Sequence, residues 1–174
     1  MKTLTLLRHA KSGWGNPALD DFDRPLNERG RKAARQMGRE MRRLGLAFDL
    51  VLASPAVRVM ETLTELAQGY GAAVATTCDR RLYLVSAESL LGIVRAVEDS
   101  LGSLLLVGHN PGMEQLALSL SRPCPLRELV AAKYPTGALA EIRFETASWR
   151  ELGVGAGTLA RFVRPRDLEP EAIF

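Results

Sequence analysis

The chain is predicted to fold as an α/β domain, a three-layer αβα sandwich. Its sheet is mostly parallel and doubly wound, with a late antiparallel edge. Three observations carry this. Short apolar runs alternate with longer mixed segments, the pattern of a sheet covered on both faces. Two of those runs, Leu4-Thr5-Leu6-Leu7-Arg8 and Leu104-Leu105-Leu106-Val107-Gly108, stop at the only two histidines, His9 and His109. The last two apolar stretches have no helical segment between them and read as a hairpin.

The elements follow in order. A first strand spans Thr3–Arg8, and a long polar loop fills residues 12–26. A helix runs from Glu28 to Leu44, with Asn27 as its cap and Gly45 as its stop. A second strand, Leu50–Ala53, leads into a helix from Pro55 to Tyr70, with Ser54 expected as N-cap and Pro55 at the first helical position. A short strand is placed at Ala73–Thr77 and a helix at Ala87–Asp99. Strand Ser103–Val107 precedes a helix from Pro111 to Ser121, and Ala138–Glu145 pairs with Gly157–Val163. The Gly153-Val154-Gly155-Ala156-Gly157 stretch superficially looks like a dinucleotide loop, but no helix follows it, so it reads as a hairpin turn.

At 174 residues a single domain over 1–174 is expected, with residues 164–174 as a mobile tail. A hydrophobic share of 47% and a charged share of 25% are those of a soluble globular protein. No apolar run approaches the ~18 residues of a membrane span. The chain enters a strand at once without a signal-peptide pattern, so a cytoplasmic location is the expectation. Cys78 and Cys124 form no CxxC pair and are read as reduced. With two histidines and no cysteine cluster, no metal site and no cofactor are expected. A net charge of +3 gives no reason to expect a nucleic-acid partner.

Ligands of open α/β sheets bind at the carboxyl ends of the strands, so both histidines are expected on one rim. A lone histidine at a strand end is usually structural or solvated. Here each one has phosphate-binding groups beside it. Arg8 supplies a planar fork of donors, and Lys11 and Ser12 add a charge and a hydroxyl. Arg58 lies one turn into the helix that follows Pro55. In Gly108-His109-Asn110-Pro111-Gly112, Asn110 can cap the next helix, leaving backbone N–H groups facing an anion. Arg29, Arg31, Lys32, Arg35, Arg39, Arg42 and Arg43 make the first helix basic, which reads as a solvated face or a docking face for an acidic partner. Arg29 and Arg31 sit at the helix start, where positive charge is mildly unfavourable. That favours a functional cause such as anion attraction near the site mouth.

These segments resemble the histidine phosphatase superfamily, in particular its small SixA-type phosphohistidine phosphatases. The resemblance rests on Leu7-Arg8-His9-Ala10-Lys11-Ser12, Asp21 to Gly30, Ser54-Pro55-Ala56-Val57-Arg58 with Glu61-Thr62, Gly108 to Gly112, and Tyr134 to Ala138. It covers roughly Met1 to Arg164. Most of the superfamily has glycine where Ala10 stands, and the Ala-Lys-Ser continuation points to the SixA branch. The resemblance implies a phosphoglycerate mutase-like fold and a metal-independent phosphatase. It implies His9 as nucleophile forming a phosphohistidine, with Arg8, Arg58 and His109 holding the phosphoryl group. His109, when protonated, would donate to a phosphoryl oxygen, and Lys11, Ser12 and Asn110 are expected to bind substrate. Neighbouring cations are expected to keep His9 unprotonated. Larger relatives carry an acid that protonates the leaving group, and Glu88 is the nearest candidate here. A plain carboxylate in a capping turn is the other reading of Glu88. The expected substrate is a phosphohistidine-containing protein, with phosphate or sulfate able to occupy the site. A small phosphate ester, or a non-catalytic phosphate-binding module, stays open; an intact His9 argues against the module.

Overall fold

The computed structural model describes residues 1–168. Its sheet is built from β1 (Lys2–Arg8), β2 (Leu50–Ala53), β3 (Thr77–Cys78), β4 (Ser103–Gly108), β5 (Leu139–Phe144) and β6 (Thr158–Val163). The helices are α1 (Glu28–Arg43), α2 (Val57–Tyr70), α3 (Ala87–Arg95), α4 (Gly112–Leu120) and α5 (Pro125–Ala132). The strands lie in the order β3-β2-β4-β1-β5-β6. The first four are parallel, and β5 and β6 are antiparallel, which is the expected late edge.

Alternation along β4 divides the core. Leu104 and Leu106 point to one face, with Leu4 and Leu6 of β1, and meet α3, α4 and α5. Leu105 and Val107 point to the other face with Leu7 and meet Met37 and Met41 of α1 and Leu63 and Leu66 of α2. Each buried leucine contributes about 1.5–3 kcal/mol relative to exposure. The helices α1 and α2 pack closely because Gly38 and Gly69 stand at the crossing. A Cβ on Gly38 would come within 2.1 Å of the Leu66 carbonyl oxygen, and one on Gly69 within 1.9 Å of the Arg35 carbonyl oxygen.

Several boundaries differ from expectation. The alternating run Ala73–Thr77 is mostly unpaired, because only Thr77 and Cys78 reach β2. The helix α3 stops at Arg95, short of Asp99. The helix α5 was not expected; it buries only Val130 and so lacks an apolar stripe. Of the expected mobile tail, Pro165–Leu168 forms a 3-10 turn, and Leu168 packs on the α1–α2 side. Residues 169–174 lie outside the described residues.

Candidate active site

The strand order assembles the site. Because β4 lies between β2 and β1, their carboxyl ends place Ser54, His109 and His9 side by side. The amide of His9 donates to the Gly108 carbonyl at 3.0 Å, and that of Ser54 to the Val107 carbonyl at 3.1 Å. The two imidazoles are both buried, with ring centroids 5.3 Å apart.

Their hydrogen bonds assign their protons. His9 Nδ1 lies 2.7 Å from the Ala10 carbonyl oxygen. A carbonyl only accepts, so Nδ1 carries the hydrogen and Nε2 keeps its lone pair. Arg58 Nε donates to that Nε2 at 3.3 Å. Arg58 Nη2 also lies 3.2 Å from His109 Nδ1, and since a guanidinium only donates, that nitrogen accepts. His109 Nε2, 2.8 Å from Ser54 Oγ, then carries the hydrogen. Burial pushes the His9 pKa down to about 4, against its bond to Ala10; the charges of Arg58, Arg8 and Arg24 add to the fall. Burial, His9 and Arg58 push His109 down to about 3. Near neutral pH both rings are therefore uncharged. The cations act on His9 as expected, with burial the larger cause, and His109 is held neutral rather than as an imidazolium.

Arg58 is the hub. It is 2% exposed, inside α2, and binds both imidazoles and Asp21. Its Nη1 donates to the Asp21 carbonyl at 2.6 Å and its Nη2 to Asp21 Oδ2 at 3.0 Å. Thr62 Oγ, one turn on, donates to the Arg58 carbonyl and accepts from the Ala10 amide at 3.0 Å, tying α2 to the His9 loop. The N-cap of α2 is Ala56, not the expected Ser54. The Ser54 hydroxyl accepts from the Ala56 amide at 3.3 Å and faces His109.

Arg8 Nη1 donates to the Tyr134 carbonyl at 2.9 Å, while its buried Nε has no partner. A buried donor left unpaired costs roughly 1–3 kcal/mol, so it fits an anion that binds here. Lys11 is exposed, and its loop is pinned where Gly30 of α1 lets the Lys11 carbonyl approach: a Cβ on Gly30 would lie 2.1 Å from that oxygen. Ser12 spends its hydroxyl proton on the Pro25 carbonyl at 2.9 Å, which orders the loop.

Asn110 caps the first turn of α4 as expected, but leaves fewer amides free than expected. Its Nδ2 donates to the Tyr134 carbonyl at 3.1 Å, and its Oδ1 accepts from the Glu114 amide at 3.2 Å. The amides of Met113 and Gln115 also bond inside the protein. The start of α4 therefore does not offer those amides to an anion; Asn110 braces the carbonyl that also holds Arg8. Glu88 lies exposed in the first turn of α3 and does not line the cleft.

The cleft has a volume of about 490 Å³ and brings together Arg8, His9, Lys11, Ser12, Arg58 and His109, with Asn110 at its wall. It also contains residues that sequence reasoning gave no role. Asp21 is its one carboxyl among the described residues. Burial opposes ionisation of Asp21, but hydrogen bonds from Tyr83 and Arg58, with the charges of Arg58 and Arg24, hold its pKa below the ordinary range. The exposed Trp14 ring lies over the Arg24 guanidinium at 3.6 Å, and Tyr83 packs edge-on against His109. The available signal was a long loop with aromatic and charged residues between the first strand and the first helix, since loops of that length are commonly functional.

The profile of the histidine phosphatase superfamily (branch 1) matches residues 4–83, the part that carries Arg8, His9 and Arg58. An uncharacterized protein of Mycobacterium tuberculosis is 32% identical over 164 residues, covering 92% of this chain and 100% of that protein. The structure of the candidate phosphohistidine phosphatase SixA of Nakamurella multipartitia superposes with a TM-score of 0.82 at 26% identity, covering 94% of this chain and 96% of that one. The SixA candidate of Agrobacterium tumefaciens gives a TM-score of 0.77 at 27% identity, covering 94% of this chain and 98% of that one.

Proposed function

The chain belongs to the histidine phosphatase superfamily and is of the SixA type, and we propose that it removes phosphate from phosphohistidine in a protein through a covalent intermediate on His9. One observation carries this reading: the Ala10 carbonyl fixes the His9 tautomer, so a neutral Nε2 faces the cleft beside Arg58. In the first step the Nε2 lone pair attacks phosphorus and the P–N bond to the substrate imidazole breaks. The substrate ring, protonated by water on its other nitrogen, leaves as neutral imidazole. In the second step water attacks the phosphohistidine at His9, releasing phosphate and restoring neutral His9. Splitting the transfer this way is covalent catalysis. Arg8 and Arg58 offset the charge on the phosphoryl oxygens. No metal or cofactor enters either step.

The substrate follows from the missing acid. Asp21 is held ionised, and Glu88 lies away from the cleft. A positioned proton donor is worth roughly 10² to 10⁴ in rate on a basic leaving group. A protonated imidazole leaves without such help, whereas an alkoxide does not. The names of the two structural relatives support the same substrate class. The test is kcat/KM across a phosphohistidine protein, aryl phosphates and alkyl phosphates, for the native enzyme and Glu88→Gln. The expected result is a steep fall toward alkyl esters and little effect of Glu88→Gln. A large Glu88→Gln loss confined to alkyl esters would instead assign a small phosphate ester. Phosphate and sulfate are expected to inhibit competitively.

A further inference from the structure

Beside the cleft, and sharing Lys11, Lys133, Pro135 and Thr136 with it, lies a second groove of about 260 Å³. Arg29 of α1 and Arg164 and Arg166 of the C-terminal turn complete its charged lining. Arg164 is neutralised by Asp167 at 3.0 Å. Lys11, Arg29, Lys133 and Arg166 form no ion pair among the described residues. On α1 itself, Arg31 and Arg35 are paired with Glu61 and Glu65 of α2, and Arg43 with Glu40, whereas Lys32, Arg39 and Arg42, like Arg29, form no ion pair among the described residues. Of the unpaired α1 cations, Arg29 is the one that lines the groove. Unpaired cations gathered round one depression repel each other and attract anions.

We propose that this groove is a second anion subsite, which receives a carboxylate-bearing segment of a protein substrate next to its phosphorylated residue. The proposal rests on the reading of the neighbouring cleft as the phosphoryl site. Two features favour carboxylates over a second phosphate. The phosphoryl cleft is built on the buried, rigidly bonded Arg58, whereas the unpaired cations of the groove are all exposed and on long side chains. Such groups adapt to carboxylates at varied positions and steer encounter more than they fix geometry. Ala33, Pro135 and Pro165 add apolar wall against which a peptide can lie. Because the depressions share four residues, a chain whose phosphorylated residue enters the cleft runs straight into the groove.

Binding to His9→Ala, which lacks the nucleophile, tests this without turnover. Titration calorimetry would compare phosphoserine peptides flanked by glutamates with the same peptides flanked by glutamines, and with both unphosphorylated. The glutamate peptide is expected to bind about tenfold more tightly, the sum of several modest surface attractions. Adding Arg29→Ala and Arg166→Ala should cut that preference to about twofold, as should high salt. In the background with His9 intact, the same pair should leave kcat/KM for para-nitrophenyl phosphate within about twofold, as expected of exposed residues outside the phosphoryl site. An unchanged glutamate preference in the double variant, or none in the parent, overturns the proposal. So does a double variant that loses affinity for pyrophosphate but not for the glutamate peptide, since that assigns the groove to small polyanions. If phosphorylation adds nothing to binding of either peptide, the cleft reading fails, while the glutamate-to-glutamine ratio still tests the groove.

Discussion

The ends of β1 and β4 look alike and are held differently. Each strand runs out at a buried histidine, and each ring accepts a hydrogen bond from Arg58. At His9 the ring proton is spent on the Ala10 carbonyl, which can only accept. That ring has one neutral tautomer open to it, and its lone pair always faces the cleft. At His109 the partner is the Ser54 hydroxyl, which can donate as well as accept. If the hydroxyl rotates, Nδ1 can carry the hydrogen and donate to a phosphoryl oxygen that displaces Arg58 Nη2. Two similar imidazoles are thereby prepared for separate work. On the proposed mechanism, the carbonyl partner suits His9 to be the nucleophile and the hydroxyl partner suits His109 to be an adaptable donor.

The largest effect should separate the two rings. His9→Ala is expected to abolish turnover, a loss of at least ~10⁴ in kcat, as when a nucleophile is removed. His109→Ala is expected to cost ~10² to 10³, the scale of one lost donor to transition-state charge. Steady-state kinetics on one substrate compares them, and equal losses would break the assignment of separate roles. Arg58→Ala removes the donor common to both rings and should lower kcat/KM by at least ~10². Arg58→Lys should recover only part of this, because an ammonium cannot reach both imidazoles and Asp21 with one fixed fork. Ser54→Ala should cost less, about fivefold to tenfold in kcat with little change in KM, since it acts through the orientation of His109. Ser54→Thr should restore the rate.

The smallest effect is on stability. Both histidines have native pKa values below the ordinary 6.5, about 4 for His9 and about 3 for His109. Above 6.5 neither the native nor the unfolded state holds these protons, so stability does not depend on them. As pH falls from 6.5, the unfolded chain takes up protons first and stability declines, until the native rings titrate as well. Denaturant unfolding between pH 7 and pH 5 should show this slope, and His109→Gln should make it shallower. A slope unaffected by His109→Gln would mean that His109 is not held neutral.

The residues at the strand ends were legible in the sequence because strand ends are where the fold converges. Arg8, His9 and His109 follow apolar runs, and Arg58 follows β2 by a short turn into α2. Asp21, Arg24, Trp14 and Tyr83 were not legible as site residues. Their place depends on how two loops fold back over the rim, which no periodicity records. Glu88 was a candidate by sequence neighbourhood, but its helix carries it away from the cleft. Asn110 was read as leaving amides free, whereas the amides of Met113, Glu114 and Gln115 and the Asn110 side chain are bonded inside the protein. The strand order decided the rest: the antiparallel edge was expected from the late hairpin, while α5, with one buried residue, left no pattern to read.

If the fixed tautomer makes His9 the nucleophile, the intermediate can be trapped on that ring. The enzyme would be mixed with a phosphohistidine protein, quenched in denaturing alkali, where phosphohistidine survives, and mapped by mass spectrometry. A phosphoryl group on His9 in the native enzyme and in His109→Ala, absent from His9→Ala, is the predicted result. A phosphoryl group on His109, or full turnover with no phosphoenzyme at any time point, would contradict it.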